Sequence, residues 1–419
     1  MSLPVRSLPV LQNWDCHGCT DCCREYRVHV NADEKARIES QEWNNDPALK
    51  GVKILVWDGG WFTGQYRLNQ RADGSCVFLD PKGGCRIHAK FGSEAKPLAC
   101  RIYPFMLVPA GDHWRVGLRY ACPSVTNDLG RPISAHLGEV REFAEALEVR
   151  EGMAGRILPV PMLQRAQTVP WSDIILFMRI FRGYILDEYQ PLEWRLRKCL
   201  AVIDLCRESR FDTITGDRLK EFLSIIGEGV NPDVPAHAAA VPRPGWVGRL
   251  LFRQTMAINA RKDRGDHRGV SRRGRLALLW AAWKFAQGTG RVPRLHALIP
   301  ETTFERIEEP TGPLPEACTK MLVRYFQVKI ESGQFFGPTN FRRRFWDGLE
   351  SLILNYPTMM WLTRALHDRT REEAVSLAMR IVDDNFGFNP LLGSRRQYFS
   401  LRMLARRGEL ARLVAWYSR

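Results

Sequence analysis

The run Cys16-His17-Gly18-Cys19-Thr20-Asp21-Cys22-Cys23 decides how this chain is read. Its spacing is C-x2-C-x2-C-C. Two residues between ligands let a tight turn aim two sulfurs at one centre, with backbone amides donating to the thiolates. Gly18 suits such a turn, which often needs a positive φ. Cys16, Cys19 and Cys22 have the clustering of three ligands to a cubane iron–sulfur site whose fourth ligand is remote. That fourth ligand could be Cys23, Cys76, Cys85, Cys100 or Cys122. Zinc also takes thiolates, but adjacent Cys22 and Cys23 do not easily both reach tetrahedral positions at one ion. The expectation is an iron–sulfur cluster, 4Fe-4S favoured, with zinc as the alternative.

Outward from this run, the distribution of cysteine supports the same chemistry. Of eleven cysteines, Cys16, Cys19, Cys22, Cys23, Cys76, Cys85, Cys100 and Cys122 fall in the first third of 419 residues. In a reducing compartment, thiols at short spacing bind metal more readily than they pair. Cys199 and Cys206, seven apart on an expected helix, share a face and read as core, as does Cys318. His17 reads as an exposed group or a partner of a ligand rather than a ligand. His88 is either a hydrogen-bond partner of a thiolate or a structural histidine. Arg101 and Tyr103-Pro104 either orient Cys100 or pack a turn, and Asp80 caps its turn. No side chain stands out as catalytic.

The first ~135 residues are rich in glycine, turn residues and short alternating stretches. Ser75–Leu79, the turn Asp80-Pro81-Lys82-Gly83-Gly84 and Cys85-Arg86-Ile87 suggest one hairpin. Phe105–Val108 and His113–Leu118 around Pro109–Asp112 suggest a second. Pairing Val108 near His113 would bring Cys100 beside Ala121 and Cys122, at one site. From about residue 138 the period becomes helical. The apolar run Ile174, Ile175, Leu176, Phe177, Ile180, Phe181, Tyr184 and Ile185 predicts a buried helix. Thr370 with Glu373 is a capping box. Further helices are expected near 191–209, 216–227, 271–287, 315–332, 341–367 and 396–418. Proline-containing breaks occur at Leu158–Pro161 and Pro232–Pro244. The fold class expected is α+β: a small Cys-rich metal-binding module with short hairpins over 1–137, then a mainly α-helical region over 138–419. A further split near 232–244 is an option.

Composition excludes some classes. With 45% hydrophobic and 26% charged residues, the chain is neither disordered nor fibrous as a whole. No apolar run approaches the ~20 residues of a membrane span; the best, Leu276–Phe285, is interrupted by Lys284. Met1 to Trp14 lacks the apolar core of a signal peptide, so a cytoplasmic protein without a membrane is expected. The net charge of +15 divides as +2 in residues 1–140 and +13 beyond them. A basic C-terminal part favours acidic partners, whether an acidic protein substrate or nucleic acid. Its densest stretch runs from Arg243 to Arg275; within it Arg261–Gly269 reads as an exposed polar loop between helices, and the stretch either contacts phosphates or is a solvated loop and helix faces. Tyr325, Phe326, Phe335, Phe336, Phe341, Phe345 and Trp346 read as helix packing, with Arg342-Arg343-Arg344 beside them.

An ordered set of motifs carries a resemblance. It runs through Cys16–Cys23, Cys76-Val77-Phe78-Leu79, Gly84-Cys85-Arg86-Ile87-His88, Cys100-Arg101-Ile102-Tyr103-Pro104 and Cys122-Pro123. The chain resembles the YkgJ-type family of cysteine-cluster proteins, described as zinc- or iron-chelating. It is also similar to the related FliB-type flagellin lysine N-methylases. The resemblance covers residues 16–123 and implies that the eight cysteines form the metal site. Its FliB-type branch implies methyl transfer from S-adenosylmethionine to protein lysine.

Overall fold

A computed structural model describes residues 3–9, 11–60, 64–152, 159–261, 274–294 and 296–419. The architecture is α+β, with strands concentrated before residue 135 and helices after it. Eight strands serve the N-terminal part: β1 (Val5–Ser7), β2 (Asn13–Trp14), β3 (His29–Val30), β4 (Leu55–Asp58), β5 (Gln65–Leu68), β6 (Phe105–Ala110), β7 (His113–Leu118) and β8 (Arg131–Pro132). Between them lie α1 (Asp21–Glu25), α2 (Ala32–Glu39), α3 (Arg86–Phe91), α4 (Leu98–Ile102) and α5 (Pro123–Thr126), followed by α6 (Leu137–Glu151).

Three sheets arrange these pieces. In the first, β7 lies between parallel β1 and antiparallel β6. In the second, β5 lies between β3 and β4. The third is the short β2–β8 pair, which lays residues 13–14 along 131–132. The hairpin of β6 and β7 forms as its alternation predicts, with a tighter turn. Ala110 pairs with His113 and Val108 with Arg115, so Gly111-Asp112 alone make the loop. This register differs by two residues from the expected pairing of Val108 near His113. The other predicted hairpin is reduced to single bridges, Gln70 with Cys76 and Leu79 with Cys85. Val77, Phe78 and Leu79 are all buried, so the run plugs a core instead of alternating across a sheet. Asp80 caps its turn, accepting from the Lys82 amide at 3.0 Å.

The helical part contains α7 (Trp171–Leu186), α8 (Leu192–Glu208), α9 (Gly216–Gly229), α10 (Trp246–Asn259), α11 (Gly274–Gln287), α12 (Phe304–Glu308), α13 (Glu316–Ser332), α14 (Phe345–Ile353), α15 (Asn355–Ala365), α16 (Arg371–Asn385), α17 (Arg395–Arg406) and α18 (Glu409–Tyr417). In α7, Ile174, Phe177, Phe181 and Ile185 recur at helical spacing and are fully buried. The helix expected over 341–367 is two, α14 and α15. Pro357 sits in the first turn of α15, where its missing N–H costs nothing. The helix expected over 396–418 is likewise two, broken at Gly408, which takes φ +65°. Residues 262–273, with most of the predicted basic loop, and Leu158 of the first proline break lie outside the described residues. Among those described, no helix is long and apolar enough to cross a membrane.

Two hydrophobic cores result. A small one joins Val30, Ile38, Trp43, Leu49, Leu68, Val77, Phe78, Ile87 and Ala95. A large one runs continuously from the β6–β7 hairpin through α7 to α18. Cys122 belongs to the large core, and Cys76 and Cys85 pack against the small one.

Candidate metal centre

All eleven cysteines are free thiols, and the eight N-terminal ones come from four separate segments. The first segment enters from β2. The Asp15 amide donates to Leu129 at 3.0 Å, and the Asp15 carboxylate takes Arg131 in a paired contact at 2.8 and 3.1 Å. His17 Nδ1 stands 2.8 Å from the Asp15 carbonyl and 3.2 Å from Ser124 Oγ. Residues 13–17 are thereby fixed along the segment that begins at Cys122. Gly18 takes φ +66°, the conformation the turn calls for, and Thr20 does the same without being glycine. The chain then winds into α1, which carries Cys22 and Cys23 with their sulfurs 4.0 Å apart. That spacing is close to the ~3.8 Å edge of a tetrahedral zinc–thiolate site with bonds of ~2.3 Å, so adjacency alone does not hold the two apart.

The remaining thiols are set by turns and helix starts. The Cys76 amide donates to the Cys23 carbonyl at 2.7 Å, pinning the second segment against α1. Cys85 immediately precedes α3, and the Arg86 amide donates to the Phe78 carbonyl at 2.9 Å. Cys100 lies within α4. Arg101 beside it is tied to Glu94 at 2.6 Å and rests on the Phe143 ring, so it anchors α4 to α6. Cys122 precedes α5 and is buried. Cys100 does not continue the β6–β7 ladder: α4 takes it out of the strand before β6 begins, so the hairpin register does not set its place relative to Cys122.

The donor set fits a thiolate-ligated metal. The Phe78 amide donates to the Cys76 sulfur, and the Ser124 and Val125 amides donate to Cys122. Such N–H···S contacts stabilise thiolates and tune bound clusters. The buried indole N–H of Trp14 has no hydrogen-bond partner, and its proximity favours the Cys122 thiolate. Burial pushes the Cys76 thiol up to about 12 and raises Cys122 as well. Cys100 turns its sulfur inward, and burial raises it further. The contact between Cys22 and Cys23 raises the first and draws the second down to about 7. A metal cation would favour the thiolate form of all of them. Among the described residues, no three Cys, His, Asp or Glu side chains are already gathered tightly enough to close on a single ion.

Residues 15–123 match the CxxCxxCC family. Its description is "putative zinc- or iron-chelating domain", and the match covers roughly a quarter of the chain. The chain is 31% identical to the uncharacterized protein MJ0939 of Methanocaldococcus jannaschii over 94 residues, which are 22% of this chain and 29% of that protein. It is 26% identical to the flagellar biosynthetic protein FliU of Salmonella muenchen over 140 residues, 32% of this chain and 80% of that protein. The chain thus covers under a third of the archaeal relative's length. No solved structure matches. The CxxCxxCC segment supports metal binding by this part of the chain.

A polar junction joins the segment to α16. Arg380 pairs with Asp21, inside the CxxCxxCC run, and Tyr26 donates to Asp384 at 3.0 Å. Lys329 pairs with Asp383 at 2.6 Å, the Ala121 amide donates to Asp383 at 3.1 Å, and Arg119 reaches Asp384 at 3.3 Å. Sequence reading passed over these residues, since nothing local marks Asp383 as the partner of residues over 250 positions away. The cavity left between Glu25, Ala121, Arg380 and Asp384 has ≈ 30 Å³, room for water and not for S-adenosylmethionine. Elements α2, β4, β5 and α6 bound an open cleft of ≈ 1420 Å³ that includes Lys96, Leu98 and Arg101 from the segment carrying Cys100. Elsewhere the bland readings hold: Cys199, Cys206 and Cys318 are fully buried in the large core, as are Tyr325, Phe326, Phe335, Phe345 and Trp346.

Proposed function

We propose that this chain is a cytoplasmic metalloprotein whose N-terminal module holds an iron–sulfur cluster through cysteine thiolates, with zinc as the competing occupant. The observation that carries this is the set of eight free thiols on four segments of the N-terminal part, with backbone amides donating to the sulfurs of Cys76 and Cys122. Unpaired thiols at this density belong to a reducing compartment. The matched CxxCxxCC family supports chelation of zinc or iron. Anaerobic purification followed by iron, zinc and acid-labile sulfide analysis tests the reading. Iron and sulfide in comparable amounts with a brown visible spectrum are expected. Zinc without sulfide would assign the centre to zinc, and colourless protein free of both would end the proposal.

A second reading is protein lysine N-methylation with S-adenosylmethionine, supported by the similarity that covers 80% of FliU and by the FliB-type resemblance. The broad cleft beside Cys100 would admit a protein segment. A radiolabelled methyl donor incubated with cell extract should mark lysines only when this protein is present with its metal. No incorporation by the fully loaded protein would remove the reading.

A further inference from the structure

We propose that the outward face of α11, with the groove at its side, is a docking surface for an acidic, amphipathic helix of another protein. This surface shares no residue with the thiol-bearing segments and does not depend on the metal.

From Leu276 to Phe285 every residue of α11 is apolar except Lys284, the pattern of a helix covered on all sides. Among the described residues, only one side of it is covered. Ala281 and Phe285 join the large core, where Phe285 meets Phe304 at 5.3 Å, and α10 lies alongside. Leu276, Leu279, Trp280 and Trp283 fall at i, i+3, i+4 and i+7, one stripe of the helix. They are 83%, 66%, 52% and 53% exposed. A single exposed leucine is ordinary, whereas four large apolar side chains in one stripe mark an interaction surface. Beside the stripe, Ala257 and Ile258 of α10, Leu278, Ala281 and Ala282 of α11, and Leu391 line an apolar groove of ≈ 280 Å³.

Charge decides what covers this face. Helices α10, α11 and α17, which frame the groove, contain no Asp or Glu. No carboxylate among the described residues lines it. At ~100° per residue, Lys284 flanks the stripe on one side and Ala282, at the groove, on the other. The Lys284 ammonium stands 5.3 Å from the Trp283 ring. Arg396 lines the groove and donates to the Gln254 side-chain oxygen at 3.4 Å. A second copy, joined by a two-fold axis, would set these cations against their own counterparts. Residues 262–273 hold one aliphatic side chain, Val270, too little to cover the stripe. Leucines and alanines offer phosphates no donor, and a lipid surface does not fill a recess between helices. A helix with an apolar stripe at the same spacing and Glu or Asp on both flanks satisfies the stripe, the groove and the cations together.

The test uses the full chain as purified and two dye-labelled helical peptides of about 18 residues. Both carry leucine at i, i+3, i+4 and i+7; one is flanked by glutamate and the other by lysine. Fluorescence anisotropy should show the glutamate peptide binding at least about tenfold more tightly. Leu279→Asp should weaken that binding about tenfold or more, and Lys284→Glu with Arg396→Glu should reverse the preference. Equal affinity for the two peptides, no anisotropy change at ~1 mM peptide, or binding that Leu279→Asp leaves unchanged would overturn the proposal. The peptide preference of the unaltered chain decides even where a variant fails to fold. A dimer in sedimentation equilibrium that Leu279→Asp dissolves would give the face to a second copy instead. Tighter binding to phosphatidylserine vesicles or single-stranded RNA than to the glutamate peptide, lost in the same variant, would give it to a lipid surface or nucleic acid.

Discussion

The two cores differ in what they need. The large core gathers aromatic side chains in edge-to-face contact, such as Phe177 with Trp346 at 5.0 Å and Phe345 with Trp346 at 4.9 Å, each worth something beyond its buried area. The small core consists of nine buried residues centred on Trp43, which meets Phe78 at 4.8 Å and Phe91 at 5.5 Å. A core of that size rarely supplies more than ~3–5 kcal/mol, and small domains commonly add a metal or disulfides. With no disulfide present, two free thiols pack against it, Cys76 and Cys85. On the metalloprotein reading proposed above, a bound metal would serve as a structural element of the small core.

Removal of metal should therefore have the largest effect and act on one region. Binding by structural thiolate sites is folding free energy on the order of 10 kcal/mol. After chelation, hydrogen exchange in segments 28–40, 64–70 and 76–102 should rise toward the unfolded rate, while α7, α13 and α15 remain protected. Exchange that rises equally in all of them would show a single cooperative unit and break the comparison.

Next in size is the junction. Lys329 and Asp383 are both fully enclosed, and the lysine also donates to the Leu118 carbonyl at 3.0 Å. Lys329→Met would leave Asp383 buried beside only Arg119 and the Ala121 amide, at a cost of ~3–5 kcal/mol. Denaturant unfolding of the metal-loaded protein should show it as a lowered midpoint in the helical signal. Trp43→Ala should cost a similar ~3–5 kcal/mol, but in the other region. Its expected signature is faster loss of metal to a chelator with the helical transition unmoved. If Trp43→Ala shifts the helical midpoint as far as Lys329→Met does, the two cores are not independent.

How much of this was legible beforehand follows from the range of the interactions. The hairpin of β6 and β7, the buried face of α7 and the capping box at Thr370 are written in residues a few positions apart. The sheet of β3, β5 and β4 is not: it pairs residues 29–30 with 66–67, and its exposure pattern lacks clean alternation. Helix α10 was hidden by its arginines, since Arg253 is buried within what reads as a solvated basic run. The eight thiols could be counted as one constellation. Their placement could not be read, because the segment that carries Cys16 is held by Leu129, Arg131 and Ser124, far along the chain.

The smallest effect tests whether the junction transmits anything. Thr370 Oγ1 accepts from the Glu373 amide at 3.3 Å, and Glu373 returns a contact to the Thr370 amide at 3.1 Å. Thr370→Ala should cost ~1 kcal/mol by fraying the first turn of α16. The residues of α16 that grip the module, Arg380, Asp383 and Asp384, lie more than two turns further on, and Val375, Ala378, Met379 and Val382 between and around them are buried. Fraying that stops at the first turn cannot reach them. A fall of a few degrees in the melting temperature with unchanged metal content is expected. A loss of metal in this variant would mean that α16 moves as one rigid lever, and that the large core governs the thiols it does not itself supply.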